Sequence, residues 1–435
     1  MPAESFSYVR RWQSELEARG WWHSFDLPDG RHIEGVNPIH GMRRRIDQFP
    51  IPEDLRGARV LDIGTWDGWF TFEMERRGAT VVAIDNWDNP RFRQVHAAFK
   101  SRADYRIMDV YDLTPATVGR FDIVLFMGVL YHLKHPLLAL ERVCAITTDL
   151  AAIDSFILQK GLRPGEKLPD RPIMEFFENE EFGGQSDNWC APNLACLMAM
   201  CRTAGFARVN HLATLELSAC VACYRKWEPV ARQSAQPPEL LYAAHHTDFG
   251  CSFHTSRDEY ITIAFRTDRK CSLGDIYPEA GGYGVRPMHL SEKEAGVWEA
   301  KVKLPPGLTP GWHEIAVRIG NSPLSNPQRI AVDFPEPTML PSITGACDGT
   351  TWSQNEINLS LGNVLSIWVT GLPENADRAN VHVSLGGQRL APVYIEAETG
   401  KLARQINVQV PDGAPIGELA LEINGSDPVP IEVVR

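Results

Sequence analysis

Long apolar runs, a disulfide-like cysteine pattern and an excess of positive charge are all missing from this chain of 435 residues. Its longest apolar stretch, residues 123–133, is far shorter than the roughly 20 residues that span a bilayer, and its first residues lack the apolar core of a signal peptide. The nine cysteines are an odd number and fall mostly inside apolar segments, which argues against a disulfide framework. We therefore expect a cytoplasmic protein that has no membrane partner.

Acidic side chains outnumber basic ones, with 55 against 43 and a net charge of −12. Residues 336–435 contain twelve acidic and five basic side chains and hold more than half of that excess. Proteins that bind nucleic acid usually present a basic surface, so a nucleic acid partner is not expected. The run Arg43-Arg44-Arg45 is a local exception, which either binds phosphate groups of a substrate or is ordinary solvated charge.

Two familiar ligand signatures are also missing. Cys220 and Cys223 form a C-x-x-C pair inside a predicted strand, without a second pair at zinc spacing, and we expect buried thiols and no metal site. A dinucleotide fingerprint G-x-G-x-x-G fails from Gly64, because Trp66 and Trp69 stand at the second and third glycine positions. Since a pyrophosphate needs close backbone approach there, a dinucleotide cofactor is not expected.

What the chain does contain is a series of predicted parallel strands with polar residues at their ends. The first strand carries Asp62 and leads into a turn with Gly64 and Gly68. Gly64 can adopt backbone angles closed to other residues, and Gly68 lets the backbone approach a ligand. The second strand ends in Asp85, whose carboxylate can accept both hydroxyls of a ribose. The alternative is a glycine turn in an unrelated α/β protein.

The spacing D-x-G-x-x-x-G from Asp62 resembles motif I of class I S-adenosylmethionine (SAM) methyltransferases, with Trp66 in place of the usual middle glycine. The resemblance implies SAM as cofactor and S-adenosylhomocysteine (SAH) as product. It implies that Asp62 faces the methionine end and Asp85 the ribose, while Asp109 either reaches the adenine or is a solvated loop residue. Trp66 and Trp87 either shield the cofactor from water or pack in the core. The cofactor-binding candidates are Asp62, Gly64, Thr65, Trp66, Gly68, Asp85, Asn86, Asp109, Val110 and Met127.

The catalytic candidates are Tyr131 and His132, which follow the fourth predicted strand. A histidine with a pKa near 6.5 can take a proton from an acceptor hydroxyl while a methyl group is transferred. Such a transfer is an in-line displacement, for which an enzyme mainly supplies alignment and a base. In the alternative interpretation His132 caps the following helix and Tyr131 only packs.

Candidates for contacting the acceptor lie in two other places. Glu175, Trp189 and Asn193 belong to an insertion between strands that covers the acceptor pocket in such folds, although ordinary loop and helix-cap roles fit them equally well. His23 and His40, in the N-terminal segment, are predicted to complete a lid over the site.

Residues 30–225 further resemble the tRNA wobble-uridine (5-oxyacetate) carboxymethyltransferase-like group. The segments that carry the resemblance are Gly35-Val36-Asn37, Leu61-Asp62-Ile63-Gly64, Met127-Gly128-Val129-Leu130-Tyr131-His132 and Pro136-Leu137. That group holds the carboxylate of a carboxylated SAM with Lys, Trp, Arg and Tyr side chains. Only Tyr131 has a match here; Met42 and Asp47 replace two of the others, and the edge strand offers Leu217-Ser218-Ala219 in place of the arginine. A carboxylate without such partners is poorly stabilised, so ordinary SAM is expected.

The pattern of strands and turns predicts four regions. They are an N-terminal helical lid segment at 1–50 with a helix over Phe6–Arg19, an α/β domain at 51–228 with a Rossmann-like seven-stranded sheet, and two β-sandwich modules at 239–335 and 336–435. Residues 228–238 are the predicted linker. Residues 403–411 resemble the Gln-Ile-Asn-x-Gln-Val-Pro signature of an immunoglobulin-like domain of bacterial proteins.

The sequence therefore predicts a SAM-dependent methyltransferase that methylates a hydroxyl group of a small molecule or glycan. The β modules are expected to present substrate or to mediate assembly, including a homo-oligomer. Two alternatives remain open at this point. One is modification of tRNA at the wobble uridine, and the other is an inactive scaffold or binding protein with a SAM fold.

Overall fold

The computed structural model describes residues 7–159, 170–182, 184–230, 236–247, 250–333, 341–372, 376, 378, 381–397, 403–424 and 426–435. Three sequence-based predictions fall outside these residues. They are the start of the first helix at Phe6, residues 231–235 of the linker, and the boundary between the two β modules at 335/336.

The N-terminal segment consists of two helices and a short strand pair. They are α1 (Ser7–Arg19), β1 (Phe25–Asp26), β2 (His32–Ile33) and α2 (Ile39–Ile46). Phe25, Met42 and Ile46 are buried in one core cluster together with Phe70 of the next domain. The segment is therefore packed on the α/β domain through its apolar side chains.

The α/β domain contains nine strands and five α-helices among the described residues. The strands are β3 (Arg59–Ile63), β4 (Thr80–Asp85), β5 (Asp104–Ile107), β6 (Phe121–Met127), β7 (Thr147–Phe156), β8 (Met174–Phe176), β9 (Cys190–Pro192), β10 (Arg208–Leu215) and β11 (Ser218–Tyr224), and the helices are α3 (Trp69–Arg76), α4 (Pro90–Phe99), α5 (Pro115–Val118), α6 (Pro136–Ile146) and α7 (Leu194–Thr203). Strands β3, β4 and β6 are almost continuously buried, as expected for strands with helices on both faces.

Seven of these strands form one sheet in the order β10-β11-β7-β6-β3-β4-β5. In this sheet β11 runs antiparallel to the other six strands. The chain continues from β3 to one side and returns at β6 on the other side. Ligands of open α/β sheets bind at the carboxyl ends of the strands, next to such a reversal. The predicted Rossmann-like sheet with an antiparallel hairpin at its edge is confirmed.

The sequence pattern predicts helices over Tyr131–Val143 and Ala191–Ala204, and both begin later in the structure. The helix predicted from Tyr131 begins at Pro136, because proline favours the first helical position and disfavours helical geometry in the residue before it; Leu130–His132 form a separate 3₁₀ turn. The helix predicted from Ala191 begins at Leu194, because residues 190–192 instead pair with β8 as a strand. These shifts place His132 and Asn193 outside the helices.

The remaining chain consists mostly of strands in four sheets, arranged as two β modules. The first module comprises β12 (Glu239–His245), β13 (Ser252–Phe253), β14 (Tyr260–Arg266), β15 (Ile276–Ala280), β16 (Tyr283–Gly284), β17 (Pro287–Glu294), β18 (Val297–Lys303), β19 (Gly311–Ile319) and β20 (Gln328–Val332). The second comprises β21 (Ser342–Asp348), β22 (Glu356–Asn358), β23 (Val364–Thr370), β24 (Val383–Leu385), β25 (Gln388–Leu390), β26 (Pro392–Ile395), β27 (Arg404–Gln409), β28 (Gly417–Ile423) and β29 (Val429–Val434). Each module buries one core between its two sheets.

The two modules have the same topology. The sheets of the first are β12-β14-β18-β17 and β13-β20-β19-β15-β16, and those of the second are β21-β23-β27-β26 and β22-β29-β28-β24-β25. Each strand of the second module thus corresponds to the strand nine places earlier, including a parallel pair in each five-stranded sheet. No such repeat is evident from the residues themselves, because the two modules share strand order and burial pattern more than residue identity.

The first β module is attached to the α/β domain through a buried arginine. Arg225 is fully buried; its Nη2 donates to the carbonyl of Pro306 at 2.7 Å, and its guanidinium lies 3.9 Å from the ring centroid of Tyr283. Next to it, the indole N–H of Trp227 donates to the carbonyl of Pro278 at 2.7 Å. These two hydrogen bonds link side chains of the α/β domain and of the segment that follows it to carbonyl groups of the first module.

We expect Arg225→Met to weaken this attachment. Methionine fills the space of the aliphatic stem but donates no hydrogen bond, and each buried carbonyl left without a donor costs about 1–3 kcal/mol. The free energy of unfolding, measured by urea denaturation, should fall by that amount or more. Arg266→Met, at an exposed ion pair within the same module, is the matched control and should change stability by less than about 0.5 kcal/mol. Equal losses in the two variants would contradict the assigned role.

Candidate functional site

The turn between β3 and α3 has the backbone strain typical of a ligand-binding turn. Gly64 has φ 69°, and a Cβ atom there would lie 2.4 Å from Cγ2 of Val129. Trp66 has φ 51°, in the left-handed region that favours glycine, so its position explains why a glycine is usual there. The Trp66 amide donates to Oδ2 of Asp85 at 2.9 Å and fixes this conformation.

The contacts of Gly68 and Trp66 bear on the roles predicted for them. Gly68, with φ 94°, faces protein side chains, because a Cβ atom there would lie 2.6 Å from the ring of Phe92 and 2.7 Å from that of Phe72. Its lack of a side chain thus makes room for these rings. Trp66 contacts Trp87, with ring centroids 5.8 Å apart, and Trp87 is 39% exposed, so the pair lies at the surface beside the turn.

Two buried carboxylates lie at the ends of neighbouring strands. Asp62 accepts a hydrogen bond from Thr71 Oγ1 at 2.6 Å, and burial raises its pKa to about 7. Burial also raises the pKa of Asp85, although the amides of Trp66, Asn86 and Trp87 oppose the change. Both carboxylates are costly to ionise here, and a cationic or hydroxyl-bearing ligand would stabilise their charged forms.

The N-terminal segment is fixed to the same turn by Asp67. Oδ2 of this fully buried carboxylate accepts the amides of Trp22 at 2.6 Å and His23 at 2.9 Å. His23 is buried against Phe70, and burial lowers its pKa to about 3, so its ring is neutral. Among the described residues, His23 Nδ1 and Thr65 Oγ1 are buried without a hydrogen-bond partner. Buried polar atoms of this kind usually have a hydrogen-bond partner.

The other cofactor candidates differ in their exposure to solvent. Asp109 is exposed and caps a 3₁₀ turn, since its Oδ1 accepts the amide of Tyr111 at 2.9 Å. Val110 is buried in the main core cluster, and Asn86 is exposed. Met127 is buried at the end of β6, opposite Asp154 in β7. The side chain of Val110 therefore packs in the core, while the others lie at the carboxyl edge of the sheet.

Tyr131 and His132 lie in the 3₁₀ turn after β6, with their ring centroids 4.3 Å apart. Burial raises the pKa of Tyr131 far above its usual value. Nδ1 of His132 lies 3.2 Å from the carbonyl oxygen and 3.5 Å from Oδ2 of Asp187. Burial lowers the pKa of His132, and the nearby Asp187 carboxylate opposes that change. His132 is thus a neutral base whose Nδ1 is directed at an acidic residue.

In the alternative interpretation His132 caps the following helix, but in the structure it does not. The residue that precedes α6 is His135, and its side chain makes no capping hydrogen bond. Asp187 was not identified from the sequence, because it lies 55 residues from His132 in an irregular loop whose path no periodic pattern predicts.

A buried ion pair between Arg45 and Asp154 was also missed. Asp154 is 1% exposed at the end of β7, and its carboxylate accepts a hydrogen bond from Nη1 of Arg45. The charges of both residues act on Tyr131, so the three side chains lie close together. A signal for this role does exist in the sequence, because Arg45 follows buried Met42 by three residues on the inner face of α2.

The acceptor candidates of the insertion have different contacts. The Trp189 amide donates to the carbonyl of Tyr131 at 2.8 Å, and its ring lies 4.2 Å from Nζ of Lys134. Glu175 is half-buried, burial raises its pKa, and its Oε2 has no hydrogen-bond partner among the described residues. Asn193 acts as the N-cap of α7, since its Oδ1 accepts the amide of Cys196 at 2.8 Å. Its contacts are those of the helix-cap alternative.

His40 lies away from His132, in the N-terminal segment. It is exposed and lines, with His32, Glu34 and Arg43, a cleft of about 590 Å³. Of the two candidates His23 and His40, it is His23 that contacts the turn after β3. Its backbone amide donates a hydrogen bond to Asp67.

The described residues contain neither a metal-binding cluster nor a membrane-spanning helix. They contain no group of three or more His, Cys, Asp or Glu side chains arranged to hold a metal ion. They also contain no helix that is both long and apolar enough to cross a bilayer.

Residues 36–151 match the model of a family described as a methyltransferase domain. The chain is 36% identical over 140 residues to the ubiquinone biosynthesis O-methyltransferase of Xanthomonas oryzae pv. oryzae (strain PXO99A), a match that covers 31% of this chain and 55% of that protein. The protein of the same name from Xanthomonas euvesicatoria pv. vesicatoria (strain 85-10) is 34% identical over 140 residues. The matched region is thus about half the length of these relatives.

Solved structures are similar over about half of this chain. The N-terminal domain of EvdMO1 with SAH bound is 24% identical, covers 51% of this chain and 96% of that chain, and gives a TM-score of 0.35. The 1,6-didemethyltoxoflavin-N1-methyltransferase of Burkholderia thailandensis is 16% identical, covers 52% of this chain and 91% of that chain, and gives a TM-score of 0.32. The residues that match the methyltransferase-domain model, 36–151, include strands β3 to β6.

We expect Arg45→Ala to destabilise the protein by leaving the buried Asp154 carboxylate without its partner. Breaking a fully buried pair costs about 3–5 kcal/mol, and because Arg45 is 27% exposed we expect about 2–4 kcal/mol. Urea denaturation measures the change. Arg44→Ala, next to it on the exposed face of α2, is the control and should be within about 0.5 kcal/mol of the parent. The assignment fails if both variants lose the same stability.

Proposed function

We propose that this chain is a SAM-dependent methyltransferase that methylates a hydroxyl group of a small molecule. The observation that carries the proposal is the meeting of three groups at the carboxyl edge of one sheet: the buried Asp62 and Asp85 with the strained turn, the Tyr131–His132 turn, and the docked N-terminal segment. The match of residues 36–151 to a methyltransferase domain supports it, as do relatives named O-methyltransferases.

The residues present fit such a cofactor. Asp85 would hold the ribose hydroxyls, and Asp62 would lie toward the methionine end, where a cationic group would stabilise a carboxylate that burial makes costly to ionise. His23 Nδ1 and Thr65 Oγ1 are polar atoms that a ligand could satisfy. When bound, SAM supplies an electrophilic methyl group.

The chain's contribution to the chemistry is a positioned base and a water-poor site. The lowered pKa of His132 keeps its ring neutral at pH 7, so it can accept the proton of an acceptor hydroxyl. Asp187 faces Nδ1, which directs the other ring nitrogen, Nε2, away from it and stabilises the imidazolium that forms. Tyr131 packs against His132 and restricts the ring, while Trp189 closes the turn through its bond to the Tyr131 carbonyl.

His132→Asn should lower kcat by about 100- to 10,000-fold, the usual contribution of a general base. Binding of SAH should be unchanged, because His132 is not assigned to the cofactor site. His135→Asn is the matched control, since His135 is exposed three residues away and should retain full activity. The measurement is methyl transfer from labelled SAM to a panel of phenols, catechols and other hydroxyl-bearing metabolites. A variant as active as the parent on an accepted substrate would refute the assignment of the base.

Cofactor binding should tighten as the pH rises. The pKa of Asp62 is raised to about 7 in the free protein, and a bound cationic group favours its ionised form, so binding releases a proton below that pH. Calorimetric titration with SAH should therefore give a lower Kd at pH 8 than at pH 6, by up to about tenfold per pH unit below the pKa. Asp62→Asn should remove the pH dependence, and Asp85→Ala should weaken binding at every pH. If neither Asp62→Asn nor Asp85→Ala alters the binding of SAH, the cofactor binds elsewhere.

The same titration separates the alternatives. A carboxylated SAM needs a cation for its extra carboxylate, and Arg45 is the arginine whose charge acts on Tyr131. Because Asp154 already pairs with Arg45, ordinary SAM is favoured. Preference for carboxylated SAM would support the tRNA-modifying alternative, and binding of no cofactor would support the inactive scaffold.

We also propose that the two β modules are immunoglobulin-like domains. Supporting observations are the two sheets around one core in each module and the position of the Gln-Ile-Asn-x-Gln-Val-Pro run, which forms β27 and the turn after it. Domain boundaries near 51, 239 and 336 follow from this division.

A further inference from the structure

One sheet of the second β module presents an unusual outer face. In β23, Leu365, Ile367 and Val369 belong to the buried core, so Trp368 lies on the opposite face of the sheet. In the neighbouring strand β27, Ile406 and Val408 are buried in that core. Alternation along this strand places Gln405, Asn407 and Gln409 on the same outer face as Trp368.

Strand pairing brings these side chains into one row across the sheet. Gln405 lies directly opposite Trp368, and Asn407 lies directly opposite Tyr394 of β26. Residues that face each other in antiparallel strands project to the same side. Tyr394 is 47% exposed, and Gln405 Nε2 donates to Asn407 Oδ1 at 2.9 Å. An aromatic ring therefore stands at each end of a short row of amides.

A second tryptophan extends this row from a loop. Trp352 is 62% exposed, and its ring centroid lies 6.5 Å from that of Trp368 with 36° between the planes. The loop is rigid, because the buried carboxylate of Asp348 accepts the amides of Thr350 at 2.7 Å and Thr351 at 2.8 Å. Trp352 itself has φ 64°, a conformation that costs energy for a tryptophan. A large apolar ring is thus held in solvent by a strained, well-bonded loop.

The space beside Trp368 is open. Its neighbour in β21 is Gly345, and a Cβ atom there would find nothing within 4 Å. The ring of Trp368 is therefore not covered from that side by the adjoining strand.

The first module shows that the topology does not require such a face. By strand register, its residues Ala264, Glu299 and Lys301 occupy the places of Trp368, Gln405 and Asn407. Glu299 there forms an ion pair with Lys293 at 3.0 Å. These positions thus include ion-paired charge in the first module, whereas the second module has an aromatic ring and two neutral amides there.

We propose that this face of the second module, comprising Trp352, Trp368, Tyr394, Gln405 and Asn407, binds a neutral oligosaccharide. The apolar C–H face of a pyranose ring packs on an aromatic ring, and neighbouring hydroxyl groups match the paired donors and acceptors of amide side chains. The absence of charged side chains at these five positions disfavours an anionic polymer such as nucleic acid, which needs cations. The inference does not depend on the methyltransferase proposal.

The test is binding of the full chain to a panel of neutral hexasaccharides, made of β-glucose, xylose, mannose and N-acetylglucosamine units, followed by tryptophan fluorescence and calorimetry. At least one should bind with a Kd in the micromolar to millimolar range. Trp352→Ala, at an exposed position, and Tyr394→Ala should each weaken that binding by about five- to tenfold. Trp312→Ala, at the exposed tryptophan of the first module, is the matched control and should bind like the parent.

A further variant avoids any loss of core packing. Gly345→Arg has room for its side chain and does not have positive φ, so the module should fold, but the new side chain would cover Trp368 and abolish binding. Binding of none of the sugars, or binding that survives Trp352→Ala and Gly345→Arg, would overturn the proposal. So would a dimer in sedimentation that Trp352→Ala dissociates, since the face would then join two copies. His132→Asn should leave sugar binding unchanged, which separates this test from that of the methyltransferase.

Discussion

The carboxylate of Asp67 is the contact on which the site depends. It lies at the turn after β3 and accepts two consecutive amides of the N-terminal segment, at Trp22 and His23. Because the turn also places Trp66 against Asp85, one short stretch of chain fixes both this turn and the N-terminal segment packed on it. Loss of either hydrogen bond would remove part of the compensation of a fully buried carboxylate, so the segment and the turn are stabilised together.

Burial of negative charge is the second constraint. Asp62, Asp67, Asp85 and Asp154 are all buried at or near the carboxyl ends of strands, but they are compensated in different ways. Backbone amides serve Asp67, the guanidinium of Arg45 serves Asp154, and Thr71 is the side-chain donor to Asp62. Burial raises the pKa of Asp62 to about 7 and that of Asp67 to about 6, and it also raises the pKa of Asp85, so compensation by the protein is incomplete at all three. Of these, Asp62 and Asp85 lie at the strand ends, where we propose that a cationic, hydroxyl-rich ligand stabilises the charged forms.

Local patterns in the sequence predicted the sheet, because most of its parallel strands are apolar runs, and they drew attention to Asp62 and Asp85 at or next to the ends of two of them. What they could not predict are contacts between distant segments. Arg45 and Asp154 are separated by 109 residues, and His132 and Asp187 by 55. The helical spacing of Arg45 from Met42 indicates that Arg45 faces inward, but no local pattern identifies Asp154 or Asp187 as a partner. The late start of α6 was predictable from Pro136, whose ring restricts the residue before it.

The shared topology of the two β modules separates what the fold needs from what its surface does. Lys303, on the outer face of the first module, forms an ion pair with Glu141 of α6 at 3.5 Å, and Arg225 is buried against the same module. Lys303 thus contributes a charged contact from this face to the α/β domain. Gln409 takes the place of Lys303 in the second module by strand register, and that face carries the rings of Trp352, Trp368 and Tyr394, whereas Tyr242 on the corresponding face of the first module donates its hydroxyl to Glu299. Since both modules bury comparable cores, the fold does not require these three rings, and the positive φ of Trp352 supports the ligand-binding role inferred for this face.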